Sequence, residues 1–216
     1  MAGQRTALQI MDLVFTFCLL NGVFCMNLSS HLSRTLLVAA VALSAQAALA
    51  QQQLVPAQSE VQFTARQMGV PLDGHFKKFS AQVAFDPAKL ATSKIAFTVD
   101  TGSATLGSRE TDAELPKPTW FNVPKFPQAQ FESTAIKALG GGKFEVAGKL
   151  TIKGTAQNVV VPVALTQSGP TTTATGTLPI KRLAFKIGEN EWADTSMVAD
   201  DVTVKFKLAL TGVGKL

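Results

Sequence analysis

The sequence contains no tyrosine, and only two cysteines and two histidines among 216 residues. Both cysteines, Cys18 and Cys25, lie near the N-terminus. Past them no disulfide framework exists, so a core has to come from packing alone. His75 is the only histidine after residue 50. This excludes a multi-histidine metal site, and any Ser-His-Asp triad would have to use it. Ser59, Ser80, Ser103, Ser108, Ser133 and Ser168 lack a G-x-S-x-G setting. Gly140-Gly141-Gly142 has no lysine and helix in phosphate-loop register and reads as a turn. There is no dense basic block and no basic–aromatic interleaving, which argues against a nucleic-acid partner. Internal repeats and low-complexity linkers are also missing.

Against the missing tyrosine stand 14 phenylalanines. A β-protein of this size ordinarily uses tyrosine where a ring is buried and its hydroxyl meets water. Here the aromatic positions want no hydroxyl. A dry packed core accounts for that, and so does a dry cavity holding an apolar guest.

Residues 1–50 read as targeting sequence. Met26 to Arg34 is polar with one positive charge, Leu36 to Leu43 is apolar, and Ala48-Leu49-Ala50 closes the stretch. This is the layout of a secretory signal with cleavage after Ala50, and it predicts export to the periplasm. An earlier apolar run, Leu13 to Cys25, is interrupted at Asn21 and Gly22. It falls short of the roughly 20 uninterrupted apolar residues of a membrane span. The preferred reading is a true start at Met26, with a membrane anchor as the rival. Phe24 ahead of Cys25 argues against lipoprotein processing. Residues 51–216 then form one domain. The whole chain carries a net charge of +5, and Arg5 and Arg34 against Asp12 leave +4 for this domain. Its lysines serve solubility, with a weak attraction to an anionic membrane surface as the secondary reading.

In this domain the apolar residues recur with a period of two. Val61, Phe63 and Ala65 alternate with Glu60, Gln62 and Thr64. Phe79, Ala81, Val83 and Phe85 follow the same rule, as do Ile95, Phe97 and Val99. Phe144, Val146, Leu150 and Ile152 share one face of a run interrupted at Gly148, and Val161, Val163 and Leu165 continue the pattern. Val204, Phe206, Leu208 and Leu210 face away from Lys205, Lys207 and Thr211. Each run is a strand with one buried face. Asp73-Gly74, Asp86-Pro87, Lys153-Gly154 and Ser168-Gly169-Pro170 are turn signals between them. The spacing predicts about eight antiparallel strands, closed as a sandwich or a barrel. A short helix is expected over Ser108 to Leu115, stopped by Pro116 and Pro118.

Several ordered stretches resemble the YceI-like family of periplasmic lipid-binding proteins, from about Val55 to Gly212. They begin with Ser59-Glu-Val-Gln-Phe63, then Gly74-His-Phe76, Phe79 and Val83-Ala-Phe-Asp86. Next come Arg109 to Leu115, Trp120-Phe121 and Lys125 to Phe131, where the family has R-D-x-H-L, F-F and Y-P-x-A-x-F. Gly148 to Gly154, Val159 to Pro162, Ile180 to Gly188, Trp192-Ala-Asp194 and Asp201 to Val204 complete the series. Glu114 departs from the family's histidine, and Pro116-Lys117 replaces its polar pair. The resemblance implies an eight-stranded antiparallel, lipocalin-like barrel around an apolar tunnel. Its members are associated with polyisoprenoids, quinone side chains and fatty acyl derivatives. A soluble carrier or store for such a lipid follows as the expected function, with no covalent chemistry and no cofactor beyond the lipid. A homodimer is a further expectation, since the family sometimes forms one.

The residues expected to line the tunnel are, of the inward ones named above, Phe63, Phe79, Val83, Phe85, Ile95, Phe97, Val99, Phe144, Val146, Leu150, Ile152, Val161, Val163, Val204, Phe206 and Leu208. Phe76, Leu115, Trp120, Phe121, Phe131, Leu178, Ile180 and Phe185 join them. His75, Arg109, Asp112 and Arg182 are the candidates for polar contacts at the mouth. Arg109 with Asp112 and Arg182 with Asp194 are also expected as structural ion pairs. Two rival readings stand beside the carrier. One is an enzyme at the barrel mouth, acting on a prenyl or acyl substrate through His75, Arg109 and Glu114. The other is a structural β-domain with a filled core.

Overall fold

The computed structural model describes residues 52–216. The expected leader, with its cleavage after Ala50 and start at Met26, lies outside the described residues. The strands are β1 Gln53–Leu54, β2 Glu60–Gln67, β3 Val70–Phe76, β4 Phe79–Ala84, β5 Lys94–Asp100 and β6 Ala104–Thr105. They continue with β7 Gln128–Gly140, β8 Lys143–Ile152, β9 Thr155–Ser168, β10 Thr171–Lys181 and β11 Asp201–Thr211. The helix α1 spans Arg109–Glu114.

All eleven strands belong to one strongly curled sheet, in the order β4-β5-β7-β8-β9-β10-β11-β2-β3-β6, with β1 on β11. Every ladder is antiparallel. No ladder joins β4 to β3. The sheet curls so far that β4 meets β1, where the Gln52 amide bridges the gap. Its Nε2 donates to Phe85 O (2.6 Å) and its Oε1 accepts from Phe85 N (2.9 Å). This gives the all-β, barrel-like architecture with one short helix.

The three strands beyond the expected eight are the two-residue β1 and β6 and the longer β3, which a turn signal conceals. Asp73-Gly74 lies inside β3, where Gly74 pairs with Phe63. The turn is Met68-Gly69, with φ of 50° and 80°. Two consecutive positive φ values match the right-handed twist of a hairpin, and Lys153-Gly154 between β8 and β9 uses the same device. Gly148 likewise stays within β8.

Apolar clusters gather toward the two ends of β8. Phe144 and Ile152 lie at opposite ends of β8. Around Phe144 gather Phe85, Leu210 and Val213. Around Ile152 gather Phe185 and Ile187, with Trp120 and Phe121 packed on them. A third cluster, Phe63, Ala104 and Leu115, fastens α1 and the following turn to the sheet.

Candidate ligand cavity

The inward face of the curled sheet encloses a partly open cavity of about 360 Å³, whose lining is almost wholly apolar. That volume falls within the roughly 300–1,000 Å³ typical of small-molecule sites. Strand alternation explains the lining, because every second side chain of each strand points inward.

Most expected lining residues are where alternation puts them. Phe63, Phe76, Val83, Phe85, Ile95, Phe97 and Val99 face the cavity from β2 to β5 and the segment after β4. Phe131, Phe144, Val146, Leu150, Ile152, Val161 and Val163 face it from β7 to β9. Leu178, Ile180, Val204, Phe206 and Leu208 do so from β10 and β11. Leu115, Trp120 and Phe121 approach from the turn after α1.

Two expected residues do not reach it. Phe79 opens β4 and its ring rests on Phe97 (centroids 5.9 Å apart), at the edge of a shallow surface depression beside His75. Phe185 is buried at 2 % exposure in a 3-10 turn, behind the wall formed by Ile152 and Ile187. Reasoning from the sequence missed other liners. Leu72 sits on the unrecognised strand β3, and Ile187 and Val198 sit in the segment between β10 and β11, where no period of two exists.

The polar candidates separate. His75 is exposed on the outer face of β3. Arg109 is exposed on α1 and forms no ion pair among the described residues. Asp112 accepts instead from Thr105 Oγ1 (2.5 Å) and Leu106 N (2.7 Å), tying α1 to β6. These two hydrogen bonds hold its carboxyl below the ordinary value. Glu114 lines the cavity and pairs with Lys117 at 2.5 Å. Among the described residues no hydrogen bond or ion pair joins His75, Arg109 and Glu114.

Arg182 does line the cavity, but not as half of an ion pair with Asp194. It is 2 % exposed, and all five of its N–H donors are spent on main-chain carbonyls. Nε donates to Ala199 O (3.0 Å) and Nη1 to Ile187 O and Gly188 O (2.9 Å each). Nη2 donates to Trp192 O (2.7 Å) and Val198 O (2.6 Å). Burial lowers the pKa of this guanidinium, and Asp200 acts in the opposite direction. Asp194 accepts from Ser196 instead. Arg182 therefore organises the segment that walls one end of the cavity. Trp120 and Trp192 line that end, their rings 5.5 Å apart.

A model of the YceI-like domain matches residues 52–210. This chain belongs to the YceI-like family. Among relatives, a UPF0312 protein of Ectopseudomonas mendocina (strain ymp) is 36% identical over 90 residues, covering 42% of this chain and 47% of the relative. One from Yersinia pestis (strain Pestoides F) is 34% identical over 110 residues, covering 50% and 57%. The chain spans about half the length of the curated relatives it matches. Among solved structures, Burkholderia cenocepacia BcnA superposes with a TM-score of 0.70 at 49% identity, covering 72% of this chain and 98% of BcnA. A polyisoprenoid binding domain from Saccharophagus degradans, implicated in plant cell wall breakdown, gives 0.61 at 14% identity, covering 74% and 98%. At that identity the likeness is one of fold. In this YceI-like chain the residue at the family's helix histidine, Glu114, stands at the cavity edge.

Proposed function

We propose that this chain holds one long apolar lipid, an isoprenoid chain, inside the curled sheet and carries or stores it in the periplasm without covalent chemistry. The observation that carries the reading is the apolar cavity of about 360 Å³, partly open to solvent. A filled core would leave no such space. The polyisoprenoid binding domain of Saccharophagus degradans has the same fold, which supports the choice of lipid. Burial gains on the order of 0.8 kcal/mol per carbon group, so each isoprene unit contributes about 4 kcal/mol gross. Ordering the flexible chain takes back a large share.

Loading from a membrane fits the exposed side chains beside the cavity. Met68, Val70 and Met197 are 69%, 62% and 42% exposed. Met68 N donates to Met197 O (2.8 Å), and the neighbouring Gln67, Leu72 and Val198 line the cavity. These three apolar side chains form a rim suited to transient contact with a bilayer surface.

The test is native mass spectrometry of protein purified from its own periplasm, with organic extraction of any adduct. A lipid adduct is expected, and Phe97→Asp or Phe206→Asp removes it while the protein stays folded. An empty, folded protein with no affinity for prenyl or acyl chains would refute the proposal.

A further inference from the structure

After residue 50 the chain has no cysteine, and its only sulfur atoms are the thioethers of Met68 and Met197. The fold sets these two residues opposite each other. Gln67 and Val198 form an isolated antiparallel bridge, and beside it Met68 N donates to Met197 O (2.8 Å). Both methionine side chains are exposed, while their chain neighbours Gln67 and Val198 line the cavity.

Neither packing nor turn chemistry selects these placements. Methionine ordinarily fills gaps in a core, whereas here both thioethers lie open to water. Met68 also holds φ at 50° in the tight turn before β3. Asparagine or glycine takes that conformation at lower cost. What the two positions share is the cavity rim and a sulfur lone pair within reach of solvent. An exposed thioether is open to oxidation.

We propose that Met68 and Met197 form an oxidation site, with a hydroperoxide as oxidant, that switches off docking of the rim on a bilayer. The inference rests on the lipid-carrier reading and its membrane-facing rim, and adds a redox control to it. A sulfur lone pair attacks the terminal oxygen of the hydroperoxide. The S–O bond forms as the O–O bond breaks, and sulfur gives up two electrons. The terminal O–H proton moves to the departing oxygen, which leaves as an alcohol, or as water when the oxidant is hydrogen peroxide. Each thioether becomes a polar sulfoxide. Two facing apolar side chains thus turn polar, and of the three rim side chains only Val70 stays apolar. No sulfur lines the cavity among the described residues, so lipid held inside is not touched. An oxidised carrier keeps its cargo and stops exchanging it with the membrane. Methionine sulfoxide reductase returns both side chains to thioethers and restores docking.

The purified protein is treated with hydrogen peroxide, and peptide mass spectrometry counts the oxygens added at each methionine. Met68 and Met197 are each expected to gain one, and Trp120 and Trp192 none. Co-sedimentation with anionic phospholipid vesicles should fall several-fold, while affinity for a detergent-solubilised prenyl probe should not change. Reductase treatment should return vesicle binding to its starting level. Met68→Leu combined with Met197→Leu keeps two apolar side chains that take no oxygen, so peroxide should not alter that variant's own vesicle binding. Complete oxidation of both methionines with undiminished vesicle binding would overturn the switch. So would an equal loss in the leucine variant, or methionines that resist peroxide in the folded protein. Untreated protein that binds no vesicles refutes the rim and the switch with it, whereas untreated, folded protein that binds no prenyl probe refutes the carrier reading.

Discussion

The ring of Phe206 lies over Gly176, its partner across the β10–β11 ladder. A Cβ on Gly176 would stand 2.8 Å from Phe206 Cε1 and 2.6 Å from Pro162 O. A ring lies over a glycine twice more, Phe63 over its ladder partner Gly74 and Phe131 diagonally over Gly148, whose ladder partner is Ser133. A Cβ on Gly74 would meet Phe63 Cε2 at 2.7 Å, and one on Gly148 would meet Phe131 Cζ at 2.5 Å. All three rings line the cavity. An inward phenylalanine either crosses a narrow barrel or lies back on its wall. A glycine on the adjacent strand makes room for the second, and the hollow stays open.

Gly176→Ala therefore acts on the cavity as well as on stability. The new methyl pushes the Phe206 ring toward the lumen, at a cost of about 1–3 kcal/mol for overpacking. Lipid affinity is expected to fall at least several-fold. Adding Phe206→Leu should restore binding, because the shorter side chain vacates the space. Titration of the single and double variants, with thermal unfolding as control, checks this. If Gly176→Ala binds as tightly as wild type, these glycines do not keep the lumen open.

The inward faces of most strands were legible because alternation is a local property, and Ile95-Ala-Phe-Thr-Val99 states its buried side directly. Strand β3 was not legible. Asp73-Gly74 carries a turn signature, and only the ring of Phe63 reveals why a glycine is needed there in a strand. The partners of Arg182 were hidden for a different reason. An arginine near an aspartate suggests an ion pair, whereas carbonyls carry no mark in the sequence, so five of them went unseen. The placement of Asp112 was missed in the same way. Helical spacing offered Arg109, but Thr105 and Leu106 became neighbours only once β6 was in place.

Asp112 gives a pH signature. Hydrogen bonds from Thr105 and Leu106 lower its pKa below the ordinary 3.8. A group whose folded pKa is depressed adds stability above its unfolded value and loses it as pH falls through the folded one. The Tm difference between wild type and Asp112→Ala should thus be constant from neutral pH down to about 5, then shrink as the pH drops below 3.8. Asp194, also lowered, by Ser196, titrates in both proteins and cancels in the difference. Thermal scans from pH 7 to pH 2 make the measurement. A difference that does not change with pH would show that the carboxylate's charge is not what holds α1 to β6.

The rim of Met68, Val70 and Met197 makes a separate prediction about membranes. Met68→Asp combined with Met197→Asp should reduce co-sedimentation with anionic phospholipid vesicles several-fold. Affinity for a detergent-solubilised prenyl probe should not change, because none of the three side chains lines the cavity. Loss of both properties together would instead point to damage to the barrel.

Arg182 is the position where a conservative change is expected to do the most harm. Lysine keeps the charge but brings three donors on a point-like head where five carbonyls wait around a planar fork. At least two carbonyls lose their partner, at about 1–3 kcal/mol each. For a domain of this size Arg182→Lys should lower Tm by about 10 °C. Arg182→Met removes the buried charge but strands all five carbonyls, and should cost more. In both variants, amide exchange should rise first between Ile187 and Ala199, since those carbonyls fix that segment, and only later in β7 to β9. If Arg182→Met is as stable as wild type, the segment is held by its apolar contacts to Trp120 and Ile152, and the guanidinium is dispensable.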